Sequence, residues 1–135
     1  GTDYNKTEKN SSFTPLYGTN HKFNGFIDYF YAGNHLNNVG LSDAYLKFVT
    51  TKNKTTFNAD LHFFASAAKI SATADNYLGT ELDLTLTHTL NAATKIALGY
   101  SQMFGTESLE ILKGGSSSAF NNWAYLMITV TPKFL

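Results

Sequence analysis

Glu81 and Asp83 are the residues of this chain whose type and spacing come nearest to chemistry. They stand two apart in the segment Leu78-Gly-Thr-Glu-Leu-Asp-Leu-Thr-Leu-Thr-His-Thr-Leu90. In a strand, alternate side chains share a face, so the two carboxyls lie about 7 Å apart along it. Glycosidases use carboxyl pairs about 5–10 Å apart. Thr85 and Thr87 continue the same row, however. A row of acids and hydroxyls reads as a hydrated wall, not as a catalytic pair.

Other reactive constellations are missing from the sequence. His21, His35, His62 and His88 show no tight metal-ligand spacing, and Asp60 with His62 makes a weak site at best. No nucleophile elbow, phosphate-binding loop or dinucleotide fingerprint occurs. Gly114-Gly115 and Ser116-Ser-Ser118 follow a helical segment instead of preceding one, so they form a loop and no phosphate cradle. The expectation is a protein that is not an enzyme, with no catalytic residue, metal or cofactor.

The elements that would position this wall are strands. Leu82, Leu84 and Leu86 alternate with Glu81, Asp83, Thr85 and Thr87. Phe57, Ala59, Leu61, Phe63 and Ala65 alternate with Asn58, Asp60, His62 and Ser66, and Phe64 breaks the pattern. Ala44, Leu46 and Phe48 oppose Asp43, Tyr45 and Lys47, while Ile96, Leu98 and Tyr100 oppose Lys95, Ala97, Gly99 and Ser101. Period-two alternation predicts strands over 42–52, 55–67, 78–90, 94–104 and 121–132. Each is long enough to cross a bilayer as a tilted strand of about 9–11 residues.

Connections alternate in length. Thr51-Lys-Asn-Lys54 and Asn91-Ala-Ala-Thr94 are tight turns, whereas 68–77 and 105–120 are long. Outer-membrane barrels are wired this way, with short turns on one side and long loops on the other. Within the last loop, Thr106-Glu-Ser-Leu-Glu-Ile-Leu-Lys113 reads as a two-turn helix with Thr106 or Ser108 capping and Gly114-Gly115 ending it. Residues 1–20 are polar and aperiodic and are expected to be loop or disordered, ahead of a barrel segment over 21–135. For 20–32, apolar residues at 23, 26, 27, 30 and 31 favour a short amphipathic helix, while the aromatic content and Gly25 favour a strand.

Bulk composition removes several classes. Net charge is zero, with ten Lys and no Arg, which disfavours nucleic-acid binding. The absence of Cys removes disulfides and thiolate chemistry. No apolar run reaches the about 20 residues of a spanning helix. Opening on Gly1, the chain reads as a mature protein or an excised piece.

Several short motifs occur in order: Pro15-Leu-Tyr-Gly-Thr-Asn-His-Lys-Phe-Asn-Gly-Phe-Ile-Asp-Tyr29, Tyr77-Leu-Gly-Thr-Glu-Leu-Asp-Leu84, Gly99-Tyr-Ser-Gln-Met-Phe-Gly105, Leu112-Lys-Gly-Gly115 and Asn122-Trp-Ala-Tyr-Leu-Met127. Together they resemble the C-terminal part of alginate-export-type outer-membrane porins, particularly Bacteroidetes-like ones. The resemblance implies an all-β antiparallel meander, a portion of an up-and-down barrel of about eighteen strands with one or two short helices in long loops. It implies a channel for small solutes or oligosaccharides in the outer membrane of a Gram-negative bacterium. With no Arg to line a lumen, an alginate polyanion is not supported as the solute.

In that frame the lumen-lining candidates are Lys47, Asp60, His62, Glu81, Asp83, Thr85 and Lys95. Tyr100, Trp123 and Tyr125 are candidates for interfacial aromatics. Expected partners are the lipid bilayer or detergent and the remainder of the barrel, with self-association of the isolated piece. The alternative is a soluble β-barrel or half-barrel binding module, in which the same alternation points the leucines inward.

Overall fold

The structure is a computed structural model that describes residues 1–135 apart from 7, 14, 15, 36 and 133–135. Five strands form one antiparallel meander: β1 (Leu41–Lys52), β2 (Thr55–Ser66), β3 (Tyr77–Asn91), β4 (Thr94–Gly105) and β5 (Asn121–Val130). They coincide with the strands predicted from alternation to within one or two residues at each end. At the tight β1–β2 turn Asn53 adopts φ 55°, a left-handed conformation that asparagine tolerates better than most residues. At the β3–β4 turn the Asn91 side chain accepts the Ala93 N–H at 2.9 Å.

The long connections gather at the opposite end of the sheet. There α1 (Glu107–Lys113) forms where capping chemistry predicts it, with Thr106 as N-cap and Gly114 at φ 77° closing its C-terminus. Phe30 and Val39 from the N-terminal segment, Ile70 from the β2–β3 loop and Leu109 from α1 meet Phe64, Leu78 and Met103 from the strand ends. This cluster is the apolar core of the described residues. It explains Phe64, the apolar residue in the polar row of β2, which packs at a tilt against Phe30 with ring centroids 4.6 Å apart.

Elsewhere burial is inverted relative to a water-soluble sheet. Leu46, Leu98 and Leu126 are 67, 51 and 64% exposed, whereas Glu81, Asp83 and His62 on the other face are 0, 1 and 1% exposed. Register fixes this pattern. His62 pairs with Glu81, Asp60 with Asp83, Lys47 with Asp60 and Asp83 with Ser101, which puts all of them on one face, while Leu61–Leu82 and Leu86–Leu98 pair on the other.

Residues 20–32 are neither helix nor strand. Positive φ at His21 (52°), Gly25 (78°) and Asp28 (64°) interrupts any regular repeat. The apolar spacing is helical, but no helical ladder forms: the His21 N–H donates to Asp28 Oδ1 at 2.7 Å, and the Ile27 N–H donates across to Glu81 Oε1 on the sheet at 2.8 Å. The segment lies as a strap across the polar face. In the stretch expected to be loop or disordered, Thr2 and Tyr4 donate their N–H groups to the carbonyls of Asn38 and Lys69 at 3.1 and 3.0 Å.

Candidate functional site on the polar face of the sheet

The polar face has two zones. Toward the long loops, under the strap, His62 sits between two acids, with Nδ1 2.9 Å from Asp43 Oδ2 and Nε2 3.9 Å from Asp83 Oδ2. Glu81 and Ser101 flank Asp83 on neighbouring positions of the same face. An acid–histidine pair beside a serine invites comparison with nucleophilic catalysis, but both ring nitrogens of His62 face carboxylates, and Ser101 stands across the register from Asp83. Glu81 Oε2 and both Asp83 carboxylate oxygens are buried. This zone is a covered acidic wall.

Burial of those carboxyls depends on the strap. A Cβ on Gly25 would stand 2.6 Å from the Glu81 carboxyl, so only glycine lets the backbone come this close. His21 stacks on the Trp123 indole with centroids 4.3 Å apart and is held by Asp28 Oδ2 at 3.0 Å. From the other side, Lys113 Nζ donates to the Asn34 carbonyl at 2.8 Å and lies over the Phe30 ring. Burial depresses the Lys113 pKa to about 8. His35 nearby is also depressed, first by burial and then by the Lys113 charge.

Toward the tight turns, the strap and the sheet border an open groove of about 740 Å³. Lys47, Asn58, Asp60 and Thr85 form one side of it, and Trp123 and Tyr125 the other. Lys47 Nζ bonds Asp60 Oδ2 at 2.7 Å across the β1–β2 register. Between the two walls β4 presents Ala97, Gly99 and Ser101. The Tyr125 ring occupies the space above Gly99, where any Cβ would overlap it.

The seven lumen-lining candidates share this face. Asp60, Lys47 and Thr85 border the groove, His62, Glu81 and Asp83 belong to or adjoin the covered wall, and Lys95 stands apart beside the tight turn. The three aromatics do not act together. Tyr100 points to the leucine face, but Trp123 pairs with Ser101 and Tyr125 with Gly99, so strand parity puts both on the polar face. An aromatic girdle on the leucine face therefore includes neither Trp123 nor Tyr125. Sequence reasoning missed Asp43 and Ser101, whose strand parity gave the signal, and the strap, for which nothing local in the sequence gave one.

No family model, curated protein or solved structure matches this chain. Among the described residues, no group of three His, Asp or Glu is arranged to hold a metal ion. No helix among them is long and apolar enough to cross a membrane, which says nothing of strands.

Proposed function

We propose that this chain is a segment of an outer-membrane β-barrel, of the alginate-export-like kind its motifs resemble, that passes small solutes or oligosaccharides through a polar lumen. The inverted burial carries the reading. Open leucine and phenylalanine surface on all five strands is costly in water at about 25 cal/mol per Å² and favourable against hydrocarbon. A soluble module would need Leu46, Leu98 and Leu126 inside and the acids out, the reverse of the arrangement here.

Sheet topology supports the same reading. The edge strands β1 and β5 each pair on one side only. Five strands are fewer than the eight with which single-chain transmembrane barrels begin. In an alternating meander β1 and β5 run the same way, so closure by antiparallel pairing takes an odd number of further strands. A ring of identical copies would instead join β5 to β1 in parallel. The partners are accordingly the bilayer and further strands of the same barrel, in the outer membrane of a Gram-negative bacterium. No residue is assigned a covalent step.

The test is reconstitution. The complete protein is expected to require detergent, to insert into liposomes as heat-modifiable β-structure and to conduct ions in planar bilayers. Leu98→Arg, on the leucine face, should cost about 2–4 kcal/mol of membrane stability if the residue sits near the midplane. A monodisperse protein in plain buffer, indifferent to that substitution, would overturn the reading.

A further inference from the structure

The groove on the polar face combines two features that nothing in solute passage as such requires. One wall is aromatic, with Tyr125 spread over Gly99 and Trp123 beside it, ring centroids 4.8 Å apart. The facing wall carries an amide (Asn58), a hydroxyl (Thr85) and the Lys47–Asp60 ion pair. The Tyr125 ring lies directly over Gly99, and the groove volume of about 740 Å³ falls within the range of small-molecule sites.

Charge bookkeeping narrows the ligand. Lys47 and Asp60 cancel across 2.7 Å, and His21 at the roof is engaged by Asp28. Asp83 borders the groove, but both its carboxylate oxygens are sealed from solvent. Neither sign of charge is left over to attract an anion or a cation. What remains is aromatic and aliphatic surface, with Phe26, Val49 and Met127 beside Trp123 and Tyr125, opposite a small cluster of donors and acceptors. A pyranose offers the complement: a face of axial C–H groups that stacks on an aromatic ring, and equatorial hydroxyls that donate to carboxylate and amide oxygens and accept from amide and ammonium N–H groups.

We infer that this trough is a binding subsite for neutral saccharides, with Tyr125 as the stacking platform and Asn58, Asp60 and Lys47 as the hydroxyl-reading wall. The inference rests on the channel reading for the direction from which the sugar arrives, but the site itself is defined by side chains alone. One face of Trp123 is taken by His21, so Tyr125 carries the stacking and Trp123 supports it.

Calorimetric titration of the complete protein in detergent with maltotriose, cellotriose, trigalacturonate and chitosan trimer tests this. At least one neutral trimer should bind more tightly than both charged ones. Tyr125→Ala should weaken it about tenfold or more, while Tyr125→Phe keeps the ring and the affinity. Should Tyr125→Ala not fold, the paired change Asn58→Ala with Thr85→Ala removes only small wall groups and should show a similar loss. Binding that favours a charged trimer, no saccharide binding, or full affinity in both the Tyr125→Ala and the paired variants would each overturn the assignment. Bilayer conductance read in parallel separates the two ideas: a conducting protein that ignores sugars sinks the subsite alone, and a non-conducting, detergent-independent protein that binds them sinks the channel alone.

Discussion

The backbone N–H of Ile27 donates to Glu81 Oε1 at 2.8 Å, joining residues 54 apart in sequence. A hydrogen bond to a buried carboxyl is worth about 1–3 kcal/mol once desolvation of the abandoned partner is included. Glu81→Ala should therefore speed amide exchange at Ile27 about tenfold or more in the detergent-solubilised protein. The β2–β3 ladder amides should stay protected. Unchanged exchange at Ile27 would mean that the strap is held by its aromatic contacts alone.

Gly25 gives an independent handle on the same strap. At φ 78° an L-residue is strained by about 1–2 kcal/mol, and its Cβ would press on the Glu81 carboxyl. Gly25→Ala should loosen the strap by an amount similar to Glu81→Ala. Because both changes break one contact, the double variant should lose less than the two single losses added together. Additive losses, measured by exchange or by protease cleavage within 21–30, would show that the two residues act separately.

The contrast between strands and strap shows what the sequence could disclose. Each strand advertises itself, because its two faces meet different media and the alternation of side chains records that over about ten residues. α1 is legible for a similarly local reason, since Thr106 caps it and Gly114 ends it within the helix itself. Phe23, Phe26, Ile27 and Phe30 carried helical spacing with no helix behind it. Their conformation is set by partners from distant strands, Glu81, Phe64 and Trp123, which no local window contains. Residue type suggests an interface for Trp123 and Tyr125, while their strand parity, on odd positions of β5 across from Ser101 and Gly99, puts both on the polar face. The same parity unites the wall from Asp43 to Trp123.

Thr106 ties the helix to the sheet as well as capping it. Its Oγ1 accepts the Leu109 N–H at 3.4 Å and lies 2.9 and 3.1 Å from the Tyr77 and Leu78 carbonyl oxygens at the start of β3. Thr106→Ala should destabilise the loop end by about 1 kcal/mol, within the usual range for a lost N-cap. Thr106→Ser should recover most of it. Local unfolding of the loop end, followed by exchange at Leu109 and Glu110, is the measurement. A silent Thr106→Ala would show that Leu109 burial alone fixes the helix.

Lys113 and His35 make the loop end sensitive to pH in two separate windows. Both are bases whose folded pKa lies below the unfolded value, Lys113 at about 8 against 10.5 and His35 below 6.5. The folded state then binds fewer protons than the unfolded chain wherever the pH lies between the two values, and stability rises with pH there. For Lys113 the penalty of burying an ammonium is complete below about 8 and fades as pH climbs toward 10.5. For His35 stability is full above 6.5 and falls as acidification forces a proton onto a buried ring. Lys113→Met should flatten the alkaline rise, which is Lys113's own. It should also soften the acid-side loss, because the Lys113 charge is one of the causes holding His35 down. Denaturant midpoints of the loop-end transition between pH 5 and 11, read for parent, Lys113→Met and His35→Gln, separate the contributions. An alkaline rise that persists in Lys113→Met would assign it to another group.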